Sequence, residues 1–226
     1  MTDLIKTVVV STPTRPVLPA QSLSDQKLFD VLNYVDEHLL GAAYAARNAI
    51  EAAALRWPGE HILFLEDDVI PSTGSGAAIQ QLVFLENEGV ICLCDMREVP
   101  SFSAVGRYQK SALGSDGRGW WGNQALYIHR DVVKYITTQD WFAPFIEQSK
   151  AVRAHNVMYE DGGRNCSDMR LALIVHTSRR PLYSVHVPSL FLHKGHDSVC
   201  FPGRTMGERE TRNWSPVAEA TNVLVK

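Results

Sequence analysis

Cysteine is scarce in this chain, charge is nearly balanced, and long apolar runs are missing. Four cysteines occur in 226 residues: Cys92, Cys94, Cys166 and Cys200. They form neither a Cys-x-x-Cys pair nor a dense disulfide framework. Cys92 and Cys94 alternate inside an apolar run and read as reduced core residues. The net charge of −3 gives no whole-protein pull toward nucleic acid or anionic membrane, although local basic patches remain open. No apolar run reaches the ~18 residues of a membrane helix. The opening Met1-Thr2-Asp3-Leu4-Ile5-Lys6 is too short in apolar residues for a signal peptide. Internal repeats and low-complexity tracts are absent, and no stretch reads as a linker. These absences point to a cytoplasmic, single-domain protein without a membrane span. What is present agrees: 45% apolar and 21% charged residues make an ordinary soluble globular composition, and a chain this long buries a core without staples.

The order of elements predicts an α/β fold with a mostly parallel central sheet flanked by helices. Lys6 to Val10 reads as a strand rich in valine. It ends in Ser11-Thr12-Pro13-Thr14-Arg15-Pro16, a loop signal. Ligands of open α/β sheets bind beyond the carboxyl ends of strands, so Thr12 and Arg15 are candidate nucleotide contacts. Ser24-Asp25 predicts a cap for a helix through Leu28, Phe29, Leu32 and Val35 to Leu39, broken at Gly41. Ala42 to Trp57 is an alanine-rich helix closed by Pro58-Gly59. Strand follows helix directly, the βαβ pattern of parallel sheets. A helix over 77–85 and a strand over 90–95 come next. Residues 96–119 lack regularity and read as a loop, with room for a short hairpin, over the site. Ala125 to Ile128 is a strand, and His129-Arg130-Asp131 starts a helix. Ser167 or Asp168 caps a later helix carrying Leu171, Ala172, Ile174 and Val175. Leu182 to Val187 alternates as a last strand, and the tail from Phe201 reads as an extended lid. Within one domain, 6–95 forms a nucleotide-binding half, 96–200 a donor-sugar and acceptor half, and 201–226 a tail or lid.

The stretch His61-Ile62-Leu63-Phe64-Leu65-Glu66-Asp67-Asp68-Val69-Ile70-Pro71 organises the rest. Ile62 to Leu65 has the length and composition of a buried strand. Three adjacent carboxylates at its end repel one another and are costly to bury unpaired. A hard divalent cation held through oxygens answers that charge, and a solvated acidic turn is the competing explanation.

Several of these pieces together resemble the GT-A class of nucleotide-sugar-dependent glycosyltransferases. They are the valine strand ending in a Thr/Pro/Arg loop, Arg47-Asn48 on the alanine-rich helix, Leu65-Glu66-Asp67-Asp68, and Pro188-Ser189-Leu190 leading to His193, Gly195 and Ser198. The resemblance implies a single Rossmann-like GT-A domain. It also implies that Glu66-Asp67-Asp68 is a DxD-type motif. Asp68 would then bind Mn²⁺ or Mg²⁺, and Glu66 or Asp67 would meet the ribose or a metal-bound water. It gives His193, or in competition His196, as the second protein ligand. An imidazole ligand favours Mn²⁺. Arg47 would reach the nucleotide or its diphosphate. Trp121, Asn123 and Gln124 would contact the donor sugar, since tryptophan faces suit pyranose rings and amides suit hydroxyls. Asp168 resembles the base of inverting members, with Glu160 and Asp161 as alternatives.

The implied activity is transfer of a sugar from a nucleotide-sugar donor, a UDP-sugar for preference, to an acceptor hydroxyl. Small anchorless members of the class act in bacterial surface-polysaccharide assembly. Others occur in phages, where the acceptor is a hydroxymethylated pyrimidine in DNA. Arg179-Arg180, Lys194, Arg204, Arg209 and Arg212 would suit a phosphate-binding strip, and equally a clamp on the donor diphosphate or a solvated surface. Two other classes compete. A nucleotidyltransferase or nucleotide-sugar pyrophosphatase would use the same acids but cleave between phosphates. A non-catalytic carbohydrate- or nucleic-acid-binding module would use them structurally.

Overall fold

A computed structural model describes residues 3–15, 17, 23, 27–94, 105–112, 124–141, 167–193 and 216–225. Nine strands and four helices follow the chain among these residues. They are β1 (Ile5–Ser11), β2 (Phe29–Val35), α1 (Ala42–Arg56), β3 (Ile62–Glu66), β4 (Val69–Pro71), α2 (Ser75–Gln81), β5 (Glu88–Cys92), β6 (Gly106–Ser111), β7 (Ala125–Ile128), α3 (Arg130–Ile136), α4 (Ser167–Thr177), β8 (Leu182–Val187) and β9 (Phe191–His193). Seven of the strands form one sheet in the order β2-β1-β3-β7-β5-β8-β6, and β4 pairs with β9 separately. In the large sheet β7 and β6 oppose the other five strands, so the sheet is mostly parallel. The expected class, a mostly parallel sheet flanked by helices, is the one observed. Among the described residues no helix is long and apolar enough to cross a membrane.

Side chains alternate across the strands and build a core on each face. Ile62 and Phe64 of β3 join Val8, Leu126 and Val185 on one face, covered by α1, α3 and α4. Leu63 and Leu65 join Val9, Ile91 and Ala125 on the other, where Ala78 and Ile79 of α2 pack. The alanines of α1 let it approach closely: Ala43, Ala49 and Ala53 are wholly buried.

Four expectations are corrected. The helix foreseen from 24 to 39 is a strand where described: Phe29 to Val35 pair residue for residue with Ile5 to Ser11. Leu28, Phe29, Leu32, Val35 and Leu39 do fall at helical spacing. The segment's β-branched and aromatic residues, Val31, Tyr34 and Val35, gain more from a seven-residue parallel ladder on an apolar strand. The irregular stretch 96–119 contains β6, which pairs antiparallel with β8 rather than forming a local hairpin. Leu182–Val187 is not the last strand, because β9 follows it. Helix α2 also ends earlier than foreseen, at Gln81, where Leu82 turns to an extended backbone.

Of the tail, residues 216–225 are described, and their backbone is tied to the body at two places. Thr73 N donates to Pro216 O and Ala218 N to Thr73 O, while Arg107 N donates to Val223 O and Val225 N to Arg107 O. Between them Thr221 N donates to Nε2 of the fully buried His186, 3.1 Å away. Nδ1 of the same ring stands 2.7 Å from Pro188 O and donates to it, so the ring is neutral with its proton on Nδ1. Burial lowers His186 from 6.5 to about 4; the Pro188 bond opposes this and the Arg107 charge adds to it. The folded state thus refuses a proton that the unfolded chain accepts below 6.5. The stabilising contribution is complete above that pH and is lost as pH falls toward 4. His61 and His129, also lowered to about 4 mainly by burial, act in the same direction. Urea unfolding between pH 7 and 5 is expected to show stability falling with pH. In His186→Gln, which keeps both hydrogen bonds without titrating, the slope should be shallower by about one proton, ~1.4 kcal/mol per pH unit. An unchanged slope would remove His186 from this role.

Candidate functional site

Strands β1 and β3 lie side by side with Val10 opposite Glu66, so the loop after β1 and the acids after β3 leave the sheet at the same edge. The apolar run Ile62 to Leu65 places Glu66 there, and Glu66 N donates to Gln124 O, just before β7. The chain turns at Asp67 and Asp68 and enters β4. Val69 faces His193 across the short antiparallel ladder with β9. This pairing brings His193 Nε2 within 3.3 Å of Asp68 Oδ2, although the two residues are far apart in sequence. Asp67, Asp68 and His193 are all buried.

The loop 11–15 folds back onto the acids. Arg15 N donates to Thr12 O. Arg15 Nη1 lies 2.9 Å from Asp67 Oδ1 and 3.7 Å from Asp68 Oδ2. The Thr12 backbone also hydrogen bonds Asp67. Asp67 is nevertheless raised to about 6, because burial outweighs the Arg15 charge and the Asp68 charge adds to it. Glu66 is raised further, to about 8: burial is the largest cause, followed by the charges of Asp68, Asp67 and Asp168. The Asp168 charge, in the first turn of α4, is thus one of those felt by Glu66. Ser167 opens that helix and Asp168 sits in its first turn, where the helix dipole favours an acid.

Two more polar groups line this edge. Ser11, at the end of β1, and Gln124, before β7, each have a buried side-chain oxygen with no hydrogen-bond partner among the described residues. Buried oxygens left in this state are costly and mark places where a ligand or water belongs. Asp36 was not foreseen. It follows β2, is 4% exposed, and its N–H donates 2.8 Å to Ser11 O. Reading 24–39 as a helix hid it; an acid directly after the β-branched run Val31 to Val35 was the available signal.

The remaining expected site residues are placed as follows. Arg47 is on α1 with its Nε 2.9 Å from Glu51 Oε1, a half-buried pair one turn apart. Trp121 and Asn123 lie outside the described residues, as do Glu160, Asp161, Lys194, His196, Arg204, Arg209 and Arg212.

The donors present suit a divalent cation. A carboxylate oxygen and an imidazole nitrogen 3.3 Å apart match neighbouring ligands of an octahedral ion, which stand about 3 Å apart at bonds of 2.0–2.2 Å. Among the described residues no three His, Cys, Asp or Glu side chains form a cluster that would hold a metal. Two protein ligands completed by water and phosphate oxygens is the way Mg²⁺ sites on nucleotides are built. The excess of acids over Arg15 provides the electrostatic need.

No protein-family model matches the chain, and no curated protein matches it. Among solved structures, similarity extends to A197 from STIV, at 12% identity and a TM-score of 0.43, covering 83% of this chain and 84% of that one. It also extends to a glycosyltransferase involved in the glycosylation of the major capsid of PBCV-1, at 13% identity and a TM-score of 0.40, covering 83% of this chain and 93% of that one. At these values neither likeness bears on family or activity.

Proposed function

We propose that this protein is a metal-dependent glycosyltransferase, one GT-A-like domain that moves a sugar from a nucleotide-sugar, UDP-linked for preference, to an acceptor hydroxyl. The observation that carries it is the meeting of Asp68 and His193 across the β4–β9 ladder, at the edge where β1 and β3 end. Asp68 and His193 hold the ion, Mn²⁺ in preference to Mg²⁺ because of the imidazole. When bound, the ion neutralises charge on the diphosphate leaving group. Thr12, Arg15 and Arg47 bind the nucleotide and its phosphates. Glu66 hydrogen bonds a ribose hydroxyl or a water, and Asp67 shares that work. Trp121, Asn123 and Gln124 orient the donor sugar. Asp168 accepts the proton of the acceptor hydroxyl as that oxygen attacks, which gives inversion at the sugar carbon. The acceptor is a surface glycan or a hydroxymethylated pyrimidine in phage DNA.

A thermal-shift panel of nucleoside diphosphates with and without Mn²⁺ tests this. At a hundred times Kd a specific ligand adds about 2.7 kcal/mol, so UDP with Mn²⁺ is expected to raise Tm by roughly 5–10 °C. If no nucleotide shifts Tm in the presence of metal, the proposal fails. Turnover of a nucleotide-sugar panel with both acceptor classes then separates the enzymes: release of nucleoside diphosphate means glycosyl transfer, and cleavage between phosphates means a pyrophosphatase.

A further inference from the structure

Asp68 Oδ2 stands between two groups. His193 Nε2 is 3.3 Å away, and Arg15 Nη1 is 3.7 Å away on the other chain segment. The arginine is held firmly, because the same nitrogen makes a 2.9 Å bond to Asp67 Oδ1 and the side chain is mostly buried. A divalent ion bonded to Asp68 Oδ2 sits about 2.2 Å from that oxygen. It would therefore lie within about 6 Å of Arg15 Nη1, a distance at which like charges oppose each other in a buried site. The acids meant for a cation already hold one.

We infer that Arg15 is a built-in counter-cation of the acid cluster, which weakens binding of a bare divalent ion and is drawn off the acids by the diphosphate of the nucleotide. The inference rests on the metal–nucleotide function proposed above. The guanidinium fork fits a phosphate at least as well as a carboxylate, and a diphosphate offers more negative charge than Asp67 alone. As Arg15 shifts its bonds to phosphate, its positive charge leaves Asp67 and Asp68 at the moment the ion arrives. Ion and nucleotide thereby favour each other's binding, by the same factor in both directions. Arg15 is thus a positioning residue for the ion as well as a nucleotide contact. Its place in the loop Ser11–Arg15, pinned by the Thr12 turn, lets it change partner without disturbing the sheet.

The test is Mn²⁺ titration followed by the electron paramagnetic resonance signal of the free ion, with and without UDP. Wild type, Arg15→Ala and Arg15→Lys are compared. Arg15→Ala is expected to bind Mn²⁺ alone about tenfold more tightly than wild type. UDP should tighten Mn²⁺ binding to wild type by ~10-fold or more and to Arg15→Ala by less than about threefold. Arg15→Lys, which keeps the charge, should stay near wild type for the ion alone and so controls for a folding defect. If Arg15→Ala binds the bare ion no more tightly than wild type, or if UDP tightens all three proteins equally, the inference is wrong and the metal site stands. If none of the three binds Mn²⁺ with or without UDP, the proposed function falls and takes this inference with it.

Discussion

Asp68→Ala is expected to abolish the combined thermal shift of Mn²⁺ and UDP and to lower sugar transfer by about a thousandfold, the rate equivalent of ~4 kcal/mol of leaving-group charge stabilisation. The structure gives the isosteric variant Asp68→Asn a second signature. Asp68 is one of three charges that push Glu66 up to about 8. Removing it relieves like-charge crowding in a buried cluster, so ligand-free Asp68→Asn should be as stable as wild type or slightly more stable. A residue whose loss costs activity while sparing stability is the mark of a functional site. His193→Ala should fall in the same direction with a smaller loss of transfer. A full Mn²⁺–UDP shift in Asp68→Ala would show that the acids do not hold the ion.

The largest effect on stability is expected at Arg107. Arg107 and Glu88 are wholly buried and paired through Nη2 and Oε2. Glu88 also accepts from Ser184 Oγ and, at 2.9 Å, from Leu85 N. Arg107 donates to Val83 O at 2.6 Å, to Asn222 Oδ1 at 3.2 Å and to Ser184 Oγ at 3.3 Å. Arg107→Ala leaves a charged carboxylate in the core and strips four elements of a shared partner. A loss of about 3–5 kcal/mol follows, lowering Tm by roughly 6–20 °C for a chain of this size. Glu88→Gln should cost less, because the amide keeps hydrogen bonds to its neighbours. Combining both changes in a double-mutant cycle should give less than the sum of the two. Urea unfolding measures all of these, and a wild-type midpoint in Arg107→Ala would refute the estimate.

The sequence made the sheet interior legible because its strands are short apolar runs bounded by polar residues or proline. Ile62–Glu66 and Ala125–Ile128 were recovered almost residue for residue on that signal. The edges were not. Phe29–Val35 buries Phe29 fully and most of its other residues only in part, so its apolar positions fell by chance at helical intervals. Gly106–Ser111 reads Gly-Arg-Tyr-Gln-Lys-Ser, polar throughout, and its one deeply buried large side chain is an arginine. No hydrophobic pattern announces a strand whose core residue is charged. At the site, the three acids were visible as a charge anomaly. Their approach to His193 depends on a three-residue ladder, Val69–Pro71 on Phe191–His193, too short to leave a periodic trace. The Arg15–Asp67 bond was invisible for the same kind of reason, since nothing local links two loops 52 residues apart.

That three-residue ladder has a consequence for how the protein is made. β4 leaves the ribosome with no mate, and the segment that completes it is translated about 120 residues later. At synthesis rates of ~5–20 residues per second the wait is roughly 6–24 s. Through that interval β1 and β3 can already be paired, since only local crossovers separate them. The acidic turn meanwhile hangs from the nascent sheet, its three carboxylates solvated and answering to no histidine. A truncated product ending before Phe191 would carry much of the sheet and none of the paired Asp68–His193 geometry. In a cell the binding edge is therefore among the last parts to mature, and the nascent chain passes through most of its birth unable to capture the ligands proposed for the finished protein.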